Sequence, residues 1–358
     1  MKKWNIVGMA TVVAIAGVTL HAYAADKLKV GFIYLGVPGD FGWTYQHELG
    51  RQEMVKALGD KVETTVLENV PESADAERAL EQLARQGYKL IFATSFGYMD
   101  PTQKVASKYP DVFFEEAVGY KRAKNVSTYF VRSYEADYIE GQIAAKVSKT
   151  GTLGFIATFP IPIVDSGINA FMLGAQSVNP NIKLKTVWTS SWFDPGKEAD
   201  SAKVLIDQGA DVLTQYTDSP TAITIAEQRG VHGFALASDM IKFGPHAQLT
   251  SDVYHWGGYY IQRAKDVLEG KWTSMDTWGG LGSGMLAMAP YTNMPDDVKK
   301  MAMETEAAMQ SGKLHPFKCP ITNQEGKTVE CKGGDHLDDG QIRSMNWFVK
   351  GVDATLPK

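Results

Sequence analysis

The sequence predicts an α/β protein made of two similar lobes. Short apolar stretches rich in β-branched and aromatic residues alternate with amphipathic helical segments about every 25–40 residues, which is typical of βαβ units and a mainly parallel sheet. The pattern begins at residue 28 and restarts near Gly151. A short signature also recurs about 120 positions apart, at 83–91 and 205–213, where a helix ends at Gln-Gly and a buried strand begins at once. Two copies of this junction indicate two Rossmann-like halves.

The elements of the first lobe follow in order. Strands are predicted at 28–36, 62–69 and 88–94, and a loop after the first strand leads into a helical pattern that ends at about Leu58. The segment 71–86 is an amphipathic helix with Ser73 as its N-cap and Gly87 beyond its end. The strands of the second lobe are predicted at 152–158, 184–189, 211–216 and 232–236, and Asp194-Pro195 is typical of an N-cap followed by Pro at the first helical position.

The chain crosses between the lobes more than once. Residues 112–131 and 251–296 alternate strand and helix again, and 285–290 is predicted to be a strand that recrosses. We expect lobe 1 to comprise residues 25–132 with a returning segment from about 250–285. Lobe 2 is then 133–249 and about 286–358, including a C-terminal extension. Hinges are expected near 131–134, 240–250 and 282–290, which implies a clam-like molecule.

The first 24 residues have the layout of a cleaved secretory signal peptide. Lys2 and Lys3 precede an uncharged apolar run from Ile6 to Leu20, and residues 22–24 form an A-x-A pattern before Ala25. The run is shorter than the roughly 20 residues that a membrane-spanning helix needs, although an uncleaved anchor is the alternative. We therefore expect cleavage after Ala24 and export to a periplasm, with no Cys at the cleavage point for lipid attachment.

Charge and cysteine content narrow the functional classes. The formal net charge is −5, and this mildly acidic balance argues against nucleic-acid binding, which needs a basic face. Cys319 and Cys331 lie twelve positions apart in a polar stretch, and in an oxidising compartment they are expected to form a local disulfide that closes a hairpin-like loop. His315 and His336 flank the pair, but the spacing matches no recognised metal site, and neither a metal nor another cofactor is expected.

The candidate site residues lie in loops after predicted strands, where ligands bind in open α/β sheets. These loops are aromatic and also carry carboxylates and hydroxyls, a combination that suits a flat ligand with polar edges. Stacking is expected from aromatic walls and edge recognition from the polar groups. The candidates are Phe41, Trp43, Thr44, Phe96, Tyr98, Tyr216, Asp218 and Asp239.

Signals for catalysis are weak. The chain has no G-x-S-x-G elbow and no Walker loop, and its histidines lack i,i+4 partners. The pair Glu115-Glu116 ends a strand and could face solvent. No set of nucleophile, base and orienting group emerges, so no catalytic residue is predicted.

Several stretches resemble the basic membrane protein family, the solute-binding proteins of ABC importers. They are KVGFIYLGVPGDFGWTYQHELG, NVSTYFVRSYEADYIEGQIAA, AQSVNP and DQGADVLTQYTDSP, and the resemblance covers about residues 27–300. It implies a type I periplasmic-binding-protein fold with two lobes joined by a multi-strand hinge. It also implies a purine nucleoside or base, adenine-type favoured, held between the lobes, and an ABC permease as the membrane partner.

The resemblance also assigns roles and reveals departures. Where relatives read D-x-S-F-N, this chain has 40–44, so Trp43 takes the place of the stacking Phe and Thr44 that of the Asn. Ser238-Asp239 matches a late Ser-Asp of the family. The change at Thr44, and residues 216–218 in place of small residues, favour a base over a full nucleoside. We expect a monomer that makes and breaks no bond. A sugar or signalling-molecule receptor and a secreted nucleoside-processing enzyme are the alternatives.

Overall fold

The computed structural model describes Met1 and residues 27–354. The signal peptide predicted at 1–24 therefore lies outside the described residues, apart from Met1. Within this part of the chain no helix is long and apolar enough to cross a membrane. The strands are β1 (Leu28–Ile33), β2 (Val62–Leu67), β3 (Leu90–Ala93), β4 (Phe113–Ala117), β5 (Val126–Val131), β6 (Thr152–Ala157), β7 (Lys183–Trp188), β8 (Val212–Gln215), β9 (His232–Ala235), β10 (Gln248–Tyr254), β11 (Asp276–Gly279), β12 (Leu286–Met288), β13 (Ile321–Thr322), β14 (Thr328–Val329) and β15 (Val352–Asp353).

Helices connect most of the strands of the two main sheets. They are α1 (Trp43–Leu58), α2 (Ala74–Arg85), α3 (Met99–Lys108), α4 (Ser133–Val147), α5 (Pro162–Val178), α6 (Pro195–Asp207), α7 (Thr221–Arg229), α8 (Gly257–Leu268), α9 (Asp296–Gln310) and α10 (Asp339–Arg343). Both predicted caps are present, because Ser73 accepts the N–H of Asp75 and Asp194 accepts that of Lys197. Gly87 and Gly209 follow α2 and α6 with φ of 84° and 97°, a backbone conformation that favours glycine.

Two main sheets have the same arrangement. The first has the strand order β11-β5-β4-β3-β1-β2, and all its neighbours are parallel. The second has the order β12-β10-β9-β8-β6-β7-β15, with only β12 antiparallel to its neighbour among these pairs. In each sheet the first five strands along the chain follow the order 2-1-3-4-5, so the strand order reverses beside β1 and beside β6. Such a switch point opens a crevice at the carboxyl ends of the strands.

The chain passes between the two sheets three times. It leaves the first sheet after Val131, returns to it through His255 and Trp256, and leaves it again between Gly279 and Leu286. The expectation of a hinge at 240–250 was wrong, because β10 lies wholly in the second sheet. That stretch continues the apolar strand pattern without a break, and the sequence offered no sign of which sheet it joins. The returning segment therefore consists of α8 and β11.

A buried ion pair fixes the returning helix α8 to the first sheet. The Arg263 guanidinium donates to a carboxylate oxygen of Glu115 at 2.7 Å, and the exposed fractions of the two side chains are 2% and 0%. Tyr259 and the indole N–H of Trp272 also donate to Glu115, at 2.6 and 2.7 Å. The sequence suggested that Glu115 and Glu116 could face solvent. Both are instead buried, because they lie in a strand that is covered on its two faces. Burial raises the pKa of each carboxyl.

The C-terminal extension packs on the second lobe. β15 pairs with β7, and α10 packs on α5. Cys319 and Cys331 form the predicted disulfide beside the two-stranded hairpin of β13 and β14, so that prediction is confirmed. Asn169 of α5 donates to the carbonyl of Trp347 at 2.8 Å and accepts the N–H of Val349 at 2.8 Å. These bonds make the extension a continuous part of the lobe.

Candidate ligand-binding site

A cavity lies between the lobes at the carboxyl ends of both sheets. Its empty volume, which includes space open to solvent, is about 480 Å³. Each lobe contributes six residues to its walls. They are Leu35, Trp43, Ser95, Phe96, Val118 and Phe130 from the first lobe, and Ile163, Trp192, Tyr216, Asp218, Leu236 and Tyr254 from the second. The walls are therefore mostly apolar and aromatic, and they are complete only when the lobes are together.

Trp43 is held in place by the loop that follows β1. The buried Asp40 carboxylate accepts the backbone N–H groups of Gly42, Thr44 and Tyr45 at 2.9–3.0 Å, which organises the first turn of α1. The indole N–H of Trp43 donates to the carbonyl of Thr94 at 2.6 Å. With its polar atom engaged, the ring offers an apolar surface to the cavity.

The opposite wall is built from tyrosines whose hydroxyls are also engaged. Tyr216 donates to the carboxylate of Asp137 at 2.7 Å, and the hydroxyl of Tyr254 faces Asp252. Asp137, Asp252 and Glu140 form a buried acidic group behind these rings. Burial, first, and mutual repulsion raise the pKa of Asp137 and of Glu140 well above the ordinary range, and burial raises that of Asp252 to about 6. These acids orient the tyrosines from behind the cavity wall.

Asp218 is the carboxylate that lines the cavity itself. Its side chain faces the backbone N–H of Trp43 from across the cleft. Burial is the first cause that raises the pKa of Asp218 well above its ordinary value, and the nearby acids Asp40, Glu198 and Glu72 raise it further. A ligand group that donates a hydrogen bond would meet an acceptor here with few competing partners.

Two further compartments adjoin the central cavity. One, with an empty volume of about 820 Å³, is the polar compartment. It shares Leu35, Trp192 and Asp218 with the central cavity and is also lined by Asp40, Thr44, Asn69, Ser190 and Ser191. The other, the side compartment, has an empty volume of about 630 Å³ and shares Phe96, Val118, Phe130 and Ile163 with the central cavity. The cleft is thus a row of compartments with different chemistry.

The structure brings five of the eight predicted site residues to this cleft. Trp43, Phe96, Tyr216 and Asp218 line the central cavity, and Thr44 lines the polar compartment. Phe96 also lines the side compartment.

Three predicted residues lie elsewhere and are corrected here. Tyr98 is fully buried in the core of the first lobe, where its hydroxyl donates to the carbonyl of Val70. Asp239 is exposed, and its carboxylate accepts from the N–H of Ile241 and the amide of Gln248 at 3.0 and 2.7 Å, so it caps a turn. Phe41 is absent from the cavity walls and lies where the two lobes touch.

Phe41 belongs to a direct contact between the lobes. Its carbonyl accepts a hydrogen bond from the hydroxyl of Ser238. The ammonium group of Lys242 lies 3.8 Å from the centroid of the Phe41 ring, and the ring of Phe243 packs against it edge to face at 5.0 Å. Cation–π contacts of this kind stabilise by roughly 0.5–1 kcal/mol when exposed. The contact therefore favours the closed arrangement without touching the cavity.

Sequence reasoning missed Phe130 and Tyr254, which form an aromatic corner with Trp43. The three ring centroids lie 6.1–6.3 Å apart. Phe130 lies near the end of β5 and Tyr254 ends β10, so both fall within apolar strand patterns that indicate ordinary core. Their positions at the last residues of strands were the available signal. Among the described residues, no group of three or more His, Cys, Asp or Glu side chains is placed to hold a metal ion.

Two α/β lobes with the same strand order, joined by three crossings and enclosing an aromatic cavity, define a solute-binding protein of the periplasmic-binding-protein fold. Residues 27–314 match the family model described as ABC transporter substrate-binding protein PnrA-like, and the chain belongs to this family. Its members bind a small molecule and work with a membrane permease.

Relatives and solved structures agree with this assignment. The chain is 60% identical to a purine-binding protein of Brucella abortus over 94% of this chain and 96% of the relative. It is 34% identical to a putative ABC transporter glucose-binding protein of Haloferax volcanii, over 93% of this chain and 82% of the relative. An ABC transporter solute-binding protein from Aeropyrum pernix has the same fold, with a TM-score of 0.69 at 22% identity over 81% of this chain and 93% of that one.

Closure of the cleft depends on a glycine. A Cβ atom added at Gly42 would lie 2.4 Å from the carbonyl oxygen of Asp218 in the other lobe. We therefore expect Gly42→Ala to hold the lobes apart and to weaken ligand binding at least about tenfold, roughly 1.4 kcal/mol, with little change in the thermal stability of the ligand-free protein. Calorimetry and thermal unfolding measure the two quantities.

Gly258 provides the matched control for this substitution. It lies in α8, and a Cβ atom there would meet no neighbouring atom within 4 Å. Gly258→Ala should leave binding unchanged. Equal affinities for Gly42→Ala and the wild type would show that close approach at this point is not needed.

Proposed function

We propose that this protein is a periplasmic receptor that closes on a purine base, with adenine favoured, and delivers it to an ABC permease. The observation that carries the proposal is the aromatic cavity shared by the two lobes, with Asp218 at its edge. The relative from Brucella abortus, named a purine-binding protein, supports the same ligand class. We infer a signal peptide cleaved after Ala24, export to the periplasm and a monomeric state.

The cavity walls suit a flat heterocycle. Trp43 and Phe130 from one lobe and Tyr216 and Tyr254 from the other offer ring surfaces. The polar atoms of Trp43, Tyr216 and Tyr254 are already engaged with protein groups. Stacking on an aromatic side chain contributes about 1–3 kcal/mol per base. Since walls from both lobes are needed, the ligand binds the closed form better than the open one and shifts the equilibrium toward closure.

The size and polarity of the central cavity favour a base over a full nucleoside. Its polar groups are few, and Asp218 stands at the border of the polar compartment. The exocyclic amine of adenine would donate to Asp218, whereas the oxo group of hypoxanthine would face it as a second acceptor. Thr44 is a candidate for polar contacts in the neighbouring compartment. The bound molecule leaves chemically unchanged.

A panel of ligands tests the proposal. We expect calorimetry to show one-to-one binding of adenine and no binding of glucose, and Trp43→Ala to weaken purine binding at least about tenfold, which is 1.4 kcal/mol of lost stacking. Met303, an exposed apolar residue of α9 that lines none of the three compartments, gives the control Met303→Ala, which should bind adenine normally.

A sugar receptor is the second candidate. The relative of Haloferax volcanii named as glucose-binding favours it, as does the polar compartment. Glucose binding without purine binding would replace the proposal by this one. Recovery of free base after incubation with a nucleoside, seen by chromatography, would show instead that the protein is an enzyme.

Asp218 makes the choice of purine pH-dependent. Its raised pKa means that the acid is protonated at low pH and can donate to the oxo group of hypoxanthine. As pH rises through the pKa, the ionised carboxylate only accepts, which favours the amine of adenine. We expect the ratio of adenine to hypoxanthine affinity, measured by calorimetry at a series of pH values at which the protein stays folded, to rise at least about fivefold from the lowest pH to the highest.

Asp218→Asn separates this effect from other titrations. The amide does not titrate in this range, so the ratio should become independent of pH. The acids nearest to Asp218 are Asp40, Glu72 and Glu198. An unchanged pH dependence in Asp218→Asn would transfer the effect to one of them and remove Asp218 from ligand selection.

A further inference from the structure

We propose that the side compartment receives an apolar substituent carried by the bound purine, so that the substrate class includes substituted purines. This inference rests on the proposed function. Phe96, Val118, Phe130 and Ile163 line both the central cavity and the side compartment. A group attached to a ring in the central cavity would therefore enter the side compartment past side chains that are apolar on both sides.

The side compartment has a larger empty volume than the central cavity, and its walls are mostly apolar. Its empty volume is about 630 Å³, and its further walls include Tyr134, Pro162, Trp278 and Ile342. Burying an apolar group here removes it from water at about 25 cal/mol per Å² of surface. An alkyl or aryl substituent would therefore add to the affinity of the base.

The polar side chains of this compartment already have partners. The hydroxyl of Ser166 donates to the carbonyl of Ile163 at 3.0 Å, and that of Ser133 lies 3.1 Å from the hydroxyl of Tyr216. Arg343 donates to Asp276 at 2.5 Å. A sugar hydroxyl buried there would compete with these bonds, and an unpaired buried hydroxyl costs about 1–3 kcal/mol. The engaged groups therefore select against a ribose and for an apolar group.

Trp278 gives the compartment a fixed wall. Its indole N–H donates to the carbonyl of Val131 at 2.9 Å. The guanidinium groups of Arg132 and Arg343 each lie 4.3 Å from its ring centroid, and they are held in turn by Asp339 and Asp276. Because this wall is already ordered, a substituent would not have to order it on binding.

The compartment also opens outward. Tyr120, on its wall, is 61% exposed. A substituent longer than the compartment could therefore extend past Tyr120 into solvent while its inner part remains buried.

Binding of matched adenine derivatives to the full-length mature protein tests the inference. The probes are adenine, N6-benzyladenine, 9-benzyladenine and adenosine, measured by calorimetry. Both benzyl isomers are used because the inference concerns the compartment and not the edge of the purine that faces it. We expect at least one isomer to bind within tenfold of adenine and more tightly than adenosine.

A substitution that fills the side compartment tests whether the benzyl group of the ligand binds there. Ser166→Phe adds a ring on the α5 side of the compartment and should lower the affinity of the better benzyl isomer relative to adenine at least tenfold. Ser177→Phe is the matched control, because Ser177 is exposed on the same helix, and it should leave that ratio unchanged. Thermal unfolding of both variants shows whether they fold.

Each outcome decides the inference. If adenine binds but both benzyl isomers bind more than tenfold more weakly than adenine, or no more tightly than adenosine, the inference fails and the proposed function stands. If an isomer binds well and Ser166→Phe, folded, does not change the ratio, the substituent lies elsewhere and the inference fails. If no purine or derivative binds, the proposed function and the inference fail together.

Discussion

The close approach of two backbone segments, at Gly42 in one lobe and Asp218 in the other, determines whether this molecule has a closed cavity. Gly42 has no Cβ, and the space that a Cβ would take is occupied by the carbonyl oxygen of Asp218. At this separation Trp43 at the start of α1 and Tyr216 immediately after β8 become walls of the same cavity. The contact of Phe41 with Lys242 and Phe243 can form only in the same arrangement.

The cavity is apolar because the polar atoms of its aromatic side chains form hydrogen bonds with other protein groups. Trp43 donates to the carbonyl of Thr94, and Tyr216 donates to Asp137. The second bond requires a carboxyl group in the core of the second lobe, where burial raises its pKa. A buried acid without a basic partner is unfavourable for stability. In the second lobe the buried carboxyl group of Asp137 lowers stability, but its hydrogen bond fixes the orientation of the Tyr216 ring that faces the ligand.

Much of the fold could be predicted from the sequence, since local periodicity determines which segments are strands and helices. The repeated Gln-Gly junction before β3 and β8 reflects the same local requirement in both lobes, a helix end with positive φ followed by a strand. The second hinge could not be placed, because both sheets accept an apolar strand such as β10. Only the pairing of β10 with β9 assigns it to the second lobe.

Position in a loop after a strand was enough to indicate some of the residues that line the cavity. Trp43 and Asp218 follow strands in segments without apolar periodicity, and both line the cavity. Tyr98 and Asp239 also follow strands, but hydrogen bonds to Val70 and Gln248 hold them away from it. Phe130 and Tyr254 lie inside strand patterns, so their exposure to the cavity depends on how the lobes meet, which no local pattern records.

Small-angle X-ray scattering of the mature protein, with and without saturating adenine, tests most directly whether two lobes close on a purine ring. We expect the radius of gyration to fall when adenine is added and not to fall when glucose is added. Adenine that binds without any change in the radius of gyration would contradict closure. A protein that contracts with glucose and not with adenine would contradict the choice of ligand.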